Sequence, residues 1–175
     1  MLTTTTEIPP VEADIRDVIG HFHNTLIGVA RRIVGDGESA QDIVQDTYVT
    51  VLRDGNAFRG FSSVKTYLYR IVINKSIDEI RKRKRRMHIT DSLTREPSAS
   101  QTGLDDFIDR KLIVNRILSK LPANLRIPLV LVDIDGMSYE EIAETLHLSI
   151  PCVRIRIFRA REKMRKELSA IGWLP

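Results

Sequence analysis

The stretch SYEEIAETLHLSIPCVRIRIFRAREKMRKEL, residues 138–168, decides how this chain is read. Ser138 with Glu141 three positions on forms a capping box, which opens a short helix with Ile142, Ala143 and Leu146 on its inner side. The turn HLS then delivers the chain to Ser149, a second good cap, and Pro151 is tolerated in the first turn of the helix that follows. At helical spacing Val153, Ile157, Ala160, Met164 and Leu168 fall in one stripe, the pattern of a core-facing side. Ile155 and Phe158 project the other way, among Arg159, Glu162 and Lys166, with Arg154 and Arg156 on the flanks.

A capped short helix, a three-residue turn and a longer basic helix make a helix-turn-helix, whose second helix enters the major groove of DNA. Groove reading explains the mixed outer face. Arginines grip phosphates or bond guanine edges, and apolar side chains such as Ile155 and Phe158 meet thymine methyl groups. A helical hairpin whose outer apolar pair packs on a partner protein is the competing reading of this stretch taken alone.

Upstream, every periodic segment is also helical. Residues 14–34 carry Ile15, Val18, Ile19, Phe22, Leu26, Val29, Ala30 and Ile33 at helical spacing and stop at GDG, residues 35–37. Ser39 with Asp42 reads as a helix start, after which Ala40, Ile43, Val44, Thr47, Val51 and Leu52 form an inner face and Asp42, Gln45 and Asp46 stay outside. A third helix is expected from Val64 to Arg86 with Ser63 as its cap. It is apolar on two faces, Val64, Leu68, Ile71 and Val72 against Tyr69, Ile73, Ile77 and Ile80, so it must be sandwiched between neighbours. Arg70, Asn74 and Arg81 form a narrow polar line between those faces, bordered by Tyr67 and Asp78.

Residues 87–105, MHITDSLTREPSASQTGLD, lack periodicity and are rich in Ser, Thr, Pro and Gly, which reads as a linker. Beyond it a helix with Leu112, Ile113, Ile117, Leu118 and Leu121 inside is broken by Pro122, and another runs from about Asn124 to Ile134 before the helix-turn-helix. The expected fold is all-α, two small helical domains joined by a flexible linker: a tail over residues 1–13, a first domain over 14–86, the linker over 87–105 and a second domain over 106–172.

Composition narrows the function. The 175 residues carry 27 Lys and Arg against 23 Asp and Glu, a net charge of +4 that suits an anionic partner. The run RKRKRR, residues 81–86, reads equally as a solvated helix end. Cys152 is the sole cysteine, so no internal disulfide is possible, and His21, His23, His88 and His147 have no metal-site spacing with it. No apolar run approaches the ~18 residues of a membrane span, and the start of the chain lacks a signal pattern, so a cytoplasmic protein is expected. No catalytic constellation or phosphate loop is present, which argues against an enzyme. Phe58, Arg59 and Phe61, ahead of the polar line, have the make-up of a single-strand site, where bases stack on rings and cations track phosphates; each phenylalanine could equally plug the core.

Three segments in order, LIGVARRIVGDGESAQDIVQDTYVTVL (26–52), FRGFSSVKTYLYRIVINKSIDEIRKRKRR (58–86) and LPANLRIPLVLVDIDGMSYEEIAETLHLSIPCVRIRIFRAREKMRKEL (121–168), resemble regions 2.1–2.2, 2.3–2.4 and 4.1–4.2 of bacterial extracytoplasmic-function sigma factors. The resemblance implies a non-enzymatic subunit, without cofactor or metal, that joins core RNA polymerase through the beta-prime clamp helices and the beta flap, directs it to promoter DNA and helps melt it. An anti-sigma factor is the further partner implied. Carried over by position, Asp42, Gln45 and Asp46 fall where the family docks on the clamp. The loop from Asn56 through Phe58, Arg59 and Phe61 falls where a -10 base is captured, and Asn74, with Arg70 and Arg81 beside it, on the -10-reading helix. Arg154, Ile155, Arg156, Phe158 and Arg159 fall on the -35-reading helix. Many members have GTVKSR or GTVRSR where residues 151–156 read PCVRIR, so Ile155 replaces a small polar residue at the groove. Pro128 and Tyr67 also depart from the family pattern. Two rival readings are a stand-alone helix-turn-helix regulator and a helical adaptor without a DNA role.

Overall fold

The computed structural model describes residues 15–53, 63–90 and 106–173, and regular structure among them is helical throughout. Seven helices follow in order: α1 (Ile15–Val34), α2 (Gly37–Arg53), α3 (Val64–Thr90), α4 (Asp106–Lys120), α5 (Ala123–Asp133), α6 (Tyr139–Leu146) and α7 (Ile150–Ala170).

Local chemistry sets most boundaries. Gly35 ends α1 with a positive φ of 91°, a conformation in which a side chain would be strained. The cap of α2 differs from the sequence reading. Asp36 Oδ1 accepts the Ser39 N–H at 2.8 Å, so Asp36 starts the helix three residues before the Ser39 expected to do so. Asp36 offers a short carboxylate acceptor right after a helix-ending glycine, and the first available acceptor takes the orphan N–H groups. Ser63 caps α3 through the Thr66 N–H at 3.1 Å. That helix overruns its expected end at Arg86 and continues to Thr90, because nothing between Arg86 and Thr90 breaks a helix; the first four residues assigned to the linker are helical. Pro122 separates α4 from α5 as expected, and α5 passes through Pro128 without interruption. The capping box of Ser138 and Glu141 is present, as is the Ser149 cap of α7, whose hydroxyl accepts the Cys152 N–H at 3.4 Å.

Helices α1, α2 and α3 pack on one another, and α7 packs on α4, α5 and α6. The two groups also touch: α1 meets α4 and α5, and α3 meets α6. α3 is therefore the sandwiched helix that its two apolar faces require, with Leu68 and Val72 buried on one side and Tyr69 and Ile73 on the other. One cluster of buried residues, from Leu26 and Val44 to Leu131 and Ile157, runs through both groups. Leu52 and Leu112, expected inside, are each 53 % exposed. Leu52 lies at the edge of the apolar stripe of α2, and Leu112 lies on the side of α4 opposite the buried Ile117 and Leu118, beside the turn between α1 and α2.

Contacts across the seam are polar at its margins. Buried Arg126 donates to the Ser119 and Leu121 carbonyls, both at 2.8 Å from Nη2, and to the Ile33 carbonyl at the end of α1. It thereby satisfies orphan carbonyls at two helix ends. Lys65 lies 3.7 Å from Glu141, and Arg70 Nη2 donates to the Glu144 carbonyl at 3.2 Å.

Candidate nucleic-acid interface

α7 presents the mixed face that its spacing predicts. Val153, Ile157 and Ala160 are buried, whereas Ile155 is 51 % and Phe158 67 % exposed. Two large apolar side chains left in water on a helix whose other side is core are a cost to the isolated chain, which a groove or a partner would recover. Arg154 and Arg159 are exposed beside them. Two other α7 arginines pair within the fold, Arg161 with Asp133 at 2.5 Å and Arg165 with Glu162, and Glu167 of α7 receives Lys120 at 2.5 Å. The exposed Arg154 and Arg159 and the exposed hydrophobes thus share one surface.

Arg156 stands apart from that group. It is half-buried and lines a cleft of about 480 Å³ together with Arg70, Asn74, Arg81 and Lys84 of α3 and His147 of the helix-turn-helix turn. Ile73, Ile77, Ile80, Ile127 and Pro128 floor it, and no carboxylate lines it. His147 is held at φ 52°, the left-handed conformation that ends α6 and turns the chain toward α7. The polar line expected on α3 therefore exists, and it borders a cleft whose other wall belongs to the second domain. Arg70 is half-buried, with its Nε buried and unpartnered; Asn74 and Arg81 are exposed, and Arg81 lies 3.3 Å from Asp78. His147 was missed by sequence reading, because only the packing of α6 against α3 brings it to the line, and Lys84, one turn beyond Arg81 on α3, was read only as part of the basic run.

The acidic edge on α2 is as expected, with Asp42, Gln45 and Asp46 all exposed. Asp42 and Asp46 border a groove of about 650 Å³ shared with Lys75, Lys82 and Arg85 of α3. Asn56, Phe58, Arg59 and Phe61 lie outside the described residues.

Two electrostatic features escaped the sequence reading. Burial raises the Asp135 carboxyl above the ordinary carboxylate range, against a hydrogen bond from the Tyr69 hydroxyl and the nearby Lys65. Burial likewise pushes the Tyr69 phenol up, with Asp135 adding to the effect. Arg83, counted within the basic run, bonds Glu79, Asp36, Ser39 and the Val34 carbonyl. Neither had a sequence signal, since both depend on partners dozens of residues away. Among the described residues no cluster of His, Cys, Asp or Glu could hold a metal ion, and no helix is long and apolar enough to cross a membrane.

Comparison with known proteins points one way. The family model for Sigma-70 region 2 matches residues 18–86, and that for Sigma-70 region 4 matches residues 111–164. The RNA polymerase sigma-H factor of Pseudomonas aeruginosa is 32 % identical over 163 residues, covering 86 % of this chain and 83 % of that protein. The extracytoplasmic-function sigma-E factor of Escherichia coli K12 is 29 % identical over 165 residues, covering 88 % and 86 %. Among solved structures, the sigma factor RpoE of Bartonella quintana in complex with the anti-sigma factor NepR superposes with a TM-score of 0.72 at 26 % identity, over 89 % of this chain and 97 % of that one. CnrH in complex with the cytosolic domain of CnrY gives 0.68 at 27 % identity, over 90 % and 91 %.

Proposed function

Since the chain belongs to the sigma-70 family, as an RNA polymerase sigma factor of the extracytoplasmic-function group, we propose how its surfaces divide the work of starting transcription. α2 docks on core polymerase through Asp42, Gln45 and Asp46. α3 reads the -10 element along Arg70, Asn74 and Arg81, with Asn56, Phe58, Arg59 and Phe61 capturing an unstacked base. α7 reads the -35 element through Arg154, Ile155, Arg156, Phe158 and Arg159. The observation that carries this reading is the outer face of α7, where Ile155 and Phe158 stand exposed beside Arg154 and Arg159 on a helix otherwise anchored in the core.

In this reading the chain is a transcription initiation factor with no catalytic step of its own, working in the cytoplasm. Asn74 and Arg156 line one small cleft, so the packed arrangement cannot hold both promoter elements at once. The groups α1–α3 and α4–α7 must part on the promoter, breaking the Arg126, Arg70 and Lys65 contacts at the seam. An anti-sigma partner, of the kind bound by the Bartonella protein, is the natural regulator of that opening.

The docking assignment is tested by reversing charge on the acidic edge. Asp42→Lys combined with Asp46→Lys should weaken binding to core polymerase at least tenfold while circular dichroism stays helical, since both side chains are exposed. A helical double variant that binds core as the wild type does places the docking surface elsewhere.

A further inference from the structure

Arg83 sits inside the run of six basic residues at the end of α3, yet it does not behave as a solvated charge. Its Nε donates to Glu79 Oε1 on its own helix at 3.1 Å, and its Nη1 donates to the Val34 carbonyl, the last residue of α1, at 3.2 Å. Its Nη2 reaches both the Asp36 carboxylate and the Ser39 hydroxyl, at the cap and the first turn of α2. One guanidinium thus ties three helices at a single corner. Burial by itself would weaken its charge, but the Asp36 and Glu79 carboxylates outweigh that and hold it more firmly protonated than usual.

The position of this corner matters for function. Asp36 and Ser39 fix where α2 begins, and Asp42 and Asp46 follow on its exposed face. Arg81 is two residues before Arg83 on α3, and Asn74 lies on the same helix. The groove between these helices carries acids of α2 on one wall and both signs of charge on the α3 wall, Lys75, Lys82 and Arg85 beside Asp78 and Glu79, a mixture of exposed charges that does not fix one geometry. A planar fork with several donors in a rigid array does fix geometry, which a lysine cannot imitate.

We propose that Arg83 is a positioning residue for promoter opening: it sets the -10-reading line of α3 relative to the polymerase-docking edge of α2, so that a docked α2 delivers Asn74 and Arg81 in register. The inference rests on the division of labour proposed above. It distinguishes Arg83 from Lys82, Lys84 and Arg85, exposed or half-exposed cations of the same run suited to phosphate contact.

The test uses the full chain with purified core polymerase on a promoter mapped for the wild-type holoenzyme. Core affinity, open-complex formation and thermal stability are measured for Arg83→Lys and Arg83→Ala. A residue that merely touches phosphate keeps its function as lysine, and its removal flattens the salt dependence of DNA binding by about one unit of slope. A positioning residue behaves otherwise. Arg83→Lys and Arg83→Ala should both keep core affinity within about twofold, slow open-complex formation about tenfold or more, and leave the salt slope unchanged. A control, Ile43→Val, lowers stability by trimming a buried side chain while leaving every hydrogen bond of Arg83 in place, and it should open the promoter normally. The proposal is overturned if Arg83→Lys opens the promoter at the wild-type rate, if the salt slope falls, or if Ile43→Val slows opening as much as the Arg83 variants do. A wild-type holoenzyme that never opens a promoter would instead contradict the division of labour on which the inference stands.

Discussion

At the scale of single residues, the two sides of α7 make opposite predictions. Ile157 is 1 % exposed, so Ile157→Ala should cost about 2 to 5 kcal/mol through lost burial and the cavity left behind. Ile155→Ala and Phe158→Ala should each change stability by less than about 0.5 kcal/mol, the range of surface substitutions. Both should nevertheless shift preference at particular -35 bases. Thermal melts and a -35 base-substitution series check the pair of expectations; a large stability loss for Phe158→Ala with unchanged base preference would contradict the face assignment. Among the arginines, a base contact is worth about 1 to 3 kcal/mol and relaxes specificity at one position, whereas a phosphate contact weakens all sequences alike. Arg154→Ala and Arg159→Ala should therefore separate into those two classes by their salt dependence. Asp36 supplies a pH dependence. Burial raises its carboxyl, but the Ser39 N–H and the Arg83 guanidinium outweigh this and hold it below the ordinary range. With the folded value depressed, its stabilisation is present at neutral pH and lost as pH falls below about 4, through the folded value. Because the side chain is 40 % exposed, the effect should stay below about 1 kcal/mol. Asp36→Asn should remove it, as acid titration of the melting temperature would reveal.

At the scale of helices, caps were readable where the acceptor and its partner are close in sequence. Ser138 with Glu141 and Ser149 before Pro151 announce α6 and α7, and Ser138→Ala should cost about 1 kcal/mol, measurable by denaturant unfolding. The start of α2 was misread because two acceptors, Asp36 and Ser39, compete within four residues, and spacing alone does not rank them. The end of α3 was misread because a helix stops only where something stops it, and residues 87–90 contain no breaker. Two apolar faces on α3 correctly implied two neighbours, but not that the second would be α6. For the same reason the polar line of Arg70, Asn74 and Arg81 was found, while the cleft that it shares with Lys84, His147 and Arg156 was not. Periodicity reports which side of a helix is apolar. It carries no address for the surface that covers it.

At the scale of the whole molecule, the feature absent from sequence reasoning is the seam, where one core runs through groups expected to be separate domains. Fifteen residues separate Thr90 from Asp106, enough for a reach of at most ~50 Å when extended, or about 15 base pairs at 3.4 Å each. The packed form cannot use that reach. A chain carrying Lys65→Cys, Glu141→Cys and Cys152→Ser, bridged across the seam by a short cleavable bis-maleimide, should stay folded and lose transcription from a two-element promoter, then recover when the bridge is cut. Full activity of the bridged chain would show that no opening is needed. The seam also contains the Tyr69–Asp135 pair, whose carboxyl titrates upward on burial. A raised folded value favours the packed form at low pH and lessens that advantage as pH rises through it, and Asp135→Asn should abolish this dependence.

The central claim is that this chain gives core polymerase its choice of promoter, and run-off transcription with purified core and the full chain tests it most directly. The account predicts discrete start sites, absent with core alone, that lie downstream of one shared pair of elements at constant spacing, with Asn74→Ala impairing use of the nearer element and Arg154→Ala use of the farther. Specific DNA binding by the chain without polymerase, combined with no promoter-dependent transcript from the reconstituted complex, would contradict it.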